Sequence, residues 1–359
     1  MCIRDRIYVY KKEICVNKTK TMNTKKLSFT ILIIFFSLNI YTQDTNKGDI
    51  FSTIFWNYNT DLSSDARKKN SFEVERVYLG YKFKVDDKIS AKVTFDIGKN
   101  NAGSDYTAFL KTAQIDWSLK DNFKLSFGMI GNKQFKYQES IWGYRYMYKT
   151  FQDENKFGSS ADLGVNGEIE ISENLKMNLF ILNGEGYKNI QDDDGHMKIG
   201  GNLIYEIGNG LSLKLYYDSE PGTARDDTND EFNVSNVGYF IGYDKNKTRA
   251  GLEYNEMLNA KTYKDPFSDH NLSGFSGYIS QNFSENSSLF FRYDSLESNV
   301  ISGNSEPWNS DKDGKLMILG YEYVVTKGFK LNLNYRNYNY TDNSINNKSM
   351  VFINAEIKI

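Results

Sequence analysis

The sequence of 359 residues has very little cysteine or histidine. Its two cysteines are Cys2 and Cys15, and its two histidines are His196 and His270. The chain beyond residue 42 therefore has no disulfide, which a barrel closed by strand pairing does not need. No cluster of residues with the spacing of zinc ligands is present either.

The sequence also lacks a long apolar run, with one candidate near its start. The stretch over residues 27–40 is shorter than the roughly 20 residues of a spanning helix and is interrupted by Ser37 and Asn39. It follows Met22 and two lysines and ends in polar residues, which is typical of a secretory signal peptide. We therefore expect a dispensable or spurious leader over residues 1–21, a signal peptide over residues 22–42 and one domain over residues 43–359.

The exported chain is predicted to be acidic. Residues 1–42 contain eight basic and two acidic residues, so their removal moves the net charge from -2 to -8. A chain with this balance is a poor partner for nucleic acid. We expect no nucleic-acid partner.

The segment KISAKVTFDIG over residues 88–98 alternates apolar and polar residues strictly. Such alternation predicts a β-strand, because successive side chains of a strand point to opposite faces. One face of this strand is apolar and the other carries charges. The pattern fits a sandwich strand over a core or a barrel strand between lipid and water.

The lengths of the connections distinguish these two folds. Seven hairpins have short polar turns, at residues 86–88, 120–122, 172–174, 208–210, 244–247, 284–286 and 326–328. Longer polar segments join the hairpins, at residues 60–70, 99–105, 132–161, 183–196, 219–233, 257–272, 298–314 and 341–348. Short turns on one rim and long loops on the other are typical of outer-membrane barrels. With a first strand near residues 49–59 and a last strand over residues 350–359, the pattern predicts an all-β transmembrane antiparallel barrel of about 16 strands.

The polar face of the predicted strands carries charges of both signs. They require water, because a dry core could not hold them all unpaired, and a barrel of this size encloses a channel. The predicted pore-lining side chains are Arg76, Lys92, Lys124, Arg249, Arg292, Arg336, Asp96, Asp116, Glu168, Glu253 and Glu322.

Two segments resemble the phosphate-selective porin O/P family. FEVERVYLGYKFKVDDKISAKVTFDIG over residues 72–98 is similar to the family's N-terminal hairpin. SSADLGVNGEI over residues 159–169 is similar to the return from its third loop. The resemblance implies a sixteen-stranded porin, often trimeric, whose third loop folds inward and narrows the pore. Members that carry phosphate line the pore with an arginine ladder, whereas the arginines at 249, 292 and 336 are interleaved here with acidic residues.

By this resemblance, the third long loop enters the lumen and constricts it. Its centre carries Arg145 and Lys149 among aromatic residues and no acid. We expect these two cations to set a weak anion preference, because a constriction focuses the field of the few charges it holds. Tyr144, Tyr146 and Tyr148 are expected to shape the aperture. In the alternative arrangement, the aromatic residues pack the loop against the wall and the cations pair with wall carboxylates such as Glu168 or Glu170.

Other chemistry has little support in the sequence. The run from Asp192 to His196 could supply an acid and a base for a surface protease. Four acidic residues over 226–231 could hold calcium, but a solvated acidic loop explains both segments. We predict a non-enzymatic porin without a cofactor, for passive diffusion of small hydrophilic solutes or inorganic anions. Its expected partners are outer-membrane lipid and, through the C-terminal strand, the barrel-assembly machinery. The alternatives are a surface receptor or adhesin that acts through its long loops and, third, a barrel hydrolase.

Overall fold

The computed structural model describes residues 48–67, 69–99, 105–223 and 231–359. The predicted leader and signal peptide lie outside the described residues. Within them, antiparallel strands close into a barrel, because the first strand pairs with the last as well as with the second. The prediction of an all-β barrel of 16 strands is confirmed.

The strands are numbered in chain order. They are β1 (Asp49–Asp61), β2 (Asn70–Lys84), β3 (Ile89–Lys99), β4 (Tyr106–Lys120), β5 (Phe123–Gly131), β6 (Ala161–Ser172), β7 (Leu175–Leu182), β8 (Lys198–Gly208), β9 (Leu211–Thr223), β10 (Glu231–Lys245), β11 (Thr248–Leu258), β12 (Ala260–Thr262), β13 (Asp265–Pro266), β14 (Leu272–Asn282), β15 (Ser287–Ser298), β16 (Gly314–Thr326), β17 (Phe329–Tyr340) and β18 (Lys348–Lys358). Of these, β12 and β13 form a separate small ribbon between β11 and β14. The others form the barrel.

The connections alternate in length as predicted. The hairpin turns, such as residues 121–122 and 209–210, are two to four residues long, whereas connections at the opposite rim include residues 132–160 and 183–197. We name these last two loop 3 and loop 4. The predicted loop over residues 219–233 is shorter than expected, because β9 continues to Thr223 and β10 begins at Glu231.

The two faces of the barrel wall differ in chemistry. Val93 and Phe95 on β3 point outward and are 38% and 44% exposed, whereas Thr94 and Asp96 point inward and are 5% and 1% exposed. The same alternation covers the outer wall with leucine, isoleucine, tyrosine and phenylalanine side chains. An apolar band around a barrel with a polar interior fits a bilayer outside and water inside. The barrel is therefore a transmembrane barrel with short periplasmic turns and long extracellular loops.

Two short helices lie in loop 3. They are α1 (Lys136–Trp142) and α2 (Phe151–Glu154). In the part of the chain that the structure describes, no helix combines the length and the apolar character required to cross a membrane.

A bulge between β3 and β4 changes the faces that β4 presents. The strand register shifts between the pairs Thr94 with Thr112 and Phe95 with Leu110, so Lys111 is an extra residue on β4. An extra residue lets neighbouring side chains share a face. Lys111 and Thr112 both line the lumen as a result.

Candidate functional site

Loop 3 folds into the lumen and forms an apolar core there. Its residues Trp142, Tyr144 and Tyr146 are at most 2% exposed. They pack in one cluster with inward side chains of β10, β14, β15 and β16, including Tyr278 and Phe290. Loop 3 is therefore docked on the lumen wall, where it covers the side of the barrel formed by the later strands.

A glycine lets the chain turn between α1 and the tyrosines. Gly143 ends α1 with φ of 72°, in the left-handed region, and its N–H donates to the carbonyl of Glu139. A Cβ at this position would lie 1.7 Å from a nitrogen of the Arg249 guanidinium. Both the backbone angle and the close arginine therefore favour glycine at this position.

Aromatic contacts and hydroxyl groups hold the centre of loop 3. The Trp142 ring lies 4.9 Å from the Tyr278 ring, and the Tyr144 ring lies 4.2 Å from the Phe290 ring. The Tyr144 hydroxyl is within hydrogen-bond distance of the Ser280 hydroxyl, at 2.6 Å. Buried tyrosines with partnered hydroxyls combine a large apolar contact with a directional bond.

Wall cations bind the backbone of loop 3. Arg292 donates to the carbonyl of Lys149 at 2.7 Å, and Arg336 donates to the carbonyl of Met147 at 2.9 Å. Lys214 on β9 is 1% exposed and donates to the carbonyl of Gln134 at the start of the loop. These bonds satisfy loop carbonyls that would otherwise be buried without partners.

The predicted pore-lining residues divide into two groups. Arg249, Arg292, Arg336, Glu253 and Glu322 face inward, but loop 3 packs on this side of the wall, and Arg292 and Glu253 are 0% and 2% exposed. The remaining six lie on β2 to β6, and they are Arg76, Lys92, Lys124, Asp96, Asp116 and Glu168.

The five predicted constriction residues also occupy different positions. Tyr144 and Tyr146 are buried between the loop and the wall, where the Tyr146 hydroxyl donates to Glu322 at 2.7 Å. Tyr148 is partly buried and packs against the same cluster.

The two cations Arg145 and Lys149 pair with acids of loop 3 itself. Arg145 lies 3.3 Å from the Asp153 carboxylate and 3.9 Å from that of Glu139, and Lys149 lies 3.8 Å from that of Glu154. The wall carboxylate of Glu168, in contrast, pairs with Lys124 and Lys133.

A cavity lies between loop 3 and the wall formed by β18 and β1 to β4, and we name it the aperture. It is a cavity of about 290 Å³ whose lining includes Phe51 and Tyr78 from the wall and Arg145 from the loop. Its charged lining consists of the cations Lys92, Lys111, Lys136, Arg145 and Lys358 and the carboxylates Glu139, Asp153 and Glu356. Lys149 is not part of this lining.

The ion pair of Asp153 holds the loop side of the aperture together. Burial opposes ionisation of this carboxyl, but Arg145 and Lys149 beside it lower its pKa below the ordinary value. Asp153 is therefore ionised at neutral pH, and it partly neutralises Arg145.

Loop 4 reaches the barrel wall at β3. The Tyr187 hydroxyl donates to Asp96 on β3 at 2.6 Å, and Arg76 donates to the same carboxylate oxygen at 2.6 Å. The loop end is fixed by Asp162 on β6, which accepts the N–H groups of Gly184 and Gly186 at 3.2 Å each. The extracellular mouth is thus narrowed by loop 4 as well as by loop 3.

Sequence reasoning missed Lys111 and Tyr187. The bulge on β4 is readable, because the apolar positions change phase between Leu110 and Ile115. No local signal marks Tyr187, which belongs to a loop expected to be wholly external.

The residues considered for other chemistry lie apart from the aperture. His196 Nδ1 lies 3.2 Å from Asp194 Oδ2 in loop 4, and both side chains are partly exposed to solvent. Of the acidic residues considered for calcium, those at 226, 227 and 230 lie outside the described residues. Among the described ones, no group of three or more histidine, cysteine, aspartate or glutamate side chains is arranged to hold a metal ion.

Comparison with known proteins identifies the fold and not the family. No protein family model matches the sequence, and no curated protein matches it. The resemblance to the phosphate-selective porin O/P family therefore stays a prediction.

Solved outer-membrane barrels are similar to this chain. Salmonella typhi OmpF in complex with daunomycin has a TM-score of 0.66 at 13% identity, covering 88% of this chain and 98% of its own. An anion-selective porin from Comamonas acidovorans has a TM-score of 0.65 at 10% identity, covering 88% and 100%. In-vitro folded OmpT of Vibrio cholerae in a trimer form has a TM-score of 0.57 at 13% identity, covering 88% and 100%. At these identities the likeness shows a shared barrel fold.

Proposed function

We propose that the protein is an outer-membrane porin whose water-filled channel passes small hydrophilic solutes and ions by passive diffusion. The observation that carries the proposal is the aperture of about 290 Å³, left open beside loop 3 within a barrel of apolar outer surface. The porins with the same fold add support. Ion conductance of the purified protein in planar lipid bilayers tests the proposal, and a preparation that inserts without conductance contradicts it.

The channel has a weak preference for anions. Five cations and three carboxylates line the aperture, and the narrowest part of a pore governs selectivity because its low dielectric strengthens each charge. Arg145 belongs to this lining, whereas Lys149 lies outside it. Lys149 therefore acts on passing ions over a longer distance than Arg145. The Asp153 and Glu139 partners of Arg145 reduce its effect, which keeps the preference weak.

Reversal potentials under a salt gradient test this selectivity. The double variant Arg145→Gln, Lys149→Gln should shift the reversal potential toward cation preference while the barrel still inserts. A matched variant with Lys88→Gln and Lys327→Gln loses the same charge in exposed short turns and should retain the wild-type value. An unchanged reversal potential in the first variant, with normal insertion, contradicts the role of these cations.

The protein reaches the outer membrane through the signal peptide over residues 22–42, and the barrel-assembly machinery recognises β18. It assembles there as a homotrimer, a proposal supported by the trimer form of the Vibrio cholerae neighbour. Native mass spectrometry of detergent-extracted protein tests the trimer. A monomer under conditions that preserve other porin trimers contradicts it.

A further inference from the structure

Two lysines face each other on the barrel wall beside the aperture, and one of them, Lys92, belongs to its lining. Lys82 on β2 and Lys92 on β3 are directly opposite in the strand register, and both point into the lumen. Within the described ranges, neither ammonium group lies within 4.0 Å of a carboxylate. Like charges directly opposite each other on paired strands are destabilising. An anion bound between them would remove this repulsion.

One aromatic ring lies beside both lysines. The Nζ atoms of Lys82 and Lys92 lie 5.2 Å and 5.6 Å from the centre of the Phe51 ring, close enough for cation–π attraction. The ring edge packs over Gly80, where an added Cβ would be 2.3 Å from Phe51 Cζ. Gly80 therefore makes room for the Phe51 ring, which forms part of the aperture lining.

The same combination of rings and cations continues along the wall. Lys111 Nζ lies 4.7 Å from the centre of the Tyr78 ring, and the Phe55 ring lies 5.9 Å from the Tyr78 ring. All three residues line the aperture. A flat apolar group beside Lys92 or Lys111 would therefore also meet an aromatic ring.

The other cations of the aperture already have acidic partners. Arg145 pairs with Asp153, Lys136 pairs with Glu139 at 2.9 Å, and Lys358 pairs with Glu356 at 2.9 Å. Lys111 lies 3.7 Å from the Asp96 carboxylate. In contrast, neither Lys82 nor Lys92 forms an ion pair within 4.0 Å among the described residues, although Asp49 on β1 is the register partner of Lys82.

We propose that Lys82, Lys92 and Phe51 form a binding site for small aromatic carboxylates, which the channel selects over inorganic anions. The carboxylate lies between the two ammonium groups, and the ring of the solute packs against Phe51. Two lysines act as point charges, whereas phosphate sites more often use the forked donors of arginine. A cavity of about 290 Å³ has the size of a small ligand pocket. The inference rests on the proposed porin function for the access of the solute.

The probe is benzoate, with two controls that each remove one feature. Acetate retains the carboxylate without the ring, and benzamide retains the ring without the charge. Benzoate should block single-channel current in potassium chloride at lower concentration than acetate, and benzamide should not block. Equal affinities for benzoate and acetate would overturn the proposal, because the ring would then contribute nothing.

Variants of the site test the contributions of the aromatic ring and of the two lysines separately. The change Phe51→Leu should lower the ratio of benzoate to acetate affinity about twofold to tenfold. The double change Lys82→Gln, Lys92→Gln should lower benzoate affinity by about tenfold or more. A control with Lys124→Gln and Lys176→Gln removes two lysines of β5 and β7, away from the strands of the site, and should bind benzoate normally.

Calorimetry of the detergent-extracted wild-type barrel measures benzoate binding without any need for conductance. Loss of conductance with benzoate still bound would overturn the porin function and leave the site supported. Conductance without preferential benzoate binding would overturn the site alone. Heat-modifiable mobility on gels confirms that each variant has folded, and equal benzoate affinity in the folded double-lysine variant would also overturn the site.

Discussion

Replacement of Arg292 by methionine should release loop 3 from the wall. Arg292 is 0% exposed, and its guanidinium donates two hydrogen bonds of 2.8 Å to Asp294 and one of 2.7 Å to the carbonyl of Lys149. It also lies 5.0 Å from the Trp142 ring. Methionine has a similar length and no charge, so the change removes the bonds with little loss of volume.

The expected free-energy cost of each variant depends on which polar groups it leaves buried without a partner. Arg292→Met leaves the Asp294 carboxylate without its cation, and breaking a buried pair in this way costs about 3–5 kcal/mol. The double variant Arg292→Met, Asp294→Leu removes that carboxylate as well and leaves the Lys149 carbonyl unpaired, at a cost of about 1–3 kcal/mol. The double variant should therefore hold loop 3 about 2 kcal/mol better than the single variant.

Urea titration of the protein in lipid vesicles measures this difference. The chain has four tryptophans, and Trp142 lies in the buried cluster of loop 3, so release of the loop should shift tryptophan emission to longer wavelength before the barrel unfolds. The single variant should show this early transition and a larger, noisier conductance. Equal transitions in the single and double variants would refute the assignment of the cost to an uncompensated carboxylate.

Three further predictions concern the wall, loop 4 and pH. Val93→Arg should impair barrel assembly by about 2–4 kcal/mol, whereas Thr94→Arg should assemble and change only conductance. Heat-modifiable mobility measures assembly, and equal assembly of the two variants would contradict the assignment of Val93 to the lipid face and Thr94 to the lumen face. Tyr187→Phe removes a hydrogen bond to the Asp96 carboxylate that is worth about 1.5–3 kcal/mol. Single-channel conductance should rise because loop 4 loosens. An unchanged conductance would exclude a role of loop 4 in narrowing the mouth. The depressed pKa of Asp153 means that its ion pairs are complete above its ordinary pKa of 3.8 and are lost as the pH falls below it. Conductance should therefore change as the pH falls below about 4, and the same acid change in Asp153→Asn would contradict this.

The sequence by itself determined the strands, their faces and the lengths of their connections. A two-residue period is a local property, since it depends only on which side of the wall each residue meets, as Val93 and Thr94 illustrate. Short and long connections are equally local. For this reason the number of strands, the closed barrel and the inward direction of the predicted lumen charges could all be predicted without tertiary information.

The tertiary structure decided which of the inward residues are free to meet a solute. Arg292 and Lys92 are both cations with the same inward orientation, but loop 3 covers the first and leaves the second in the aperture. The contacts of Tyr144 with Ser280 and of Tyr187 with Asp96 join residues that are 136 and 91 positions apart in the sequence. No local period encodes such pairs, because their energy comes from shape and hydrogen bonding between distant surfaces that meet only when the barrel has closed.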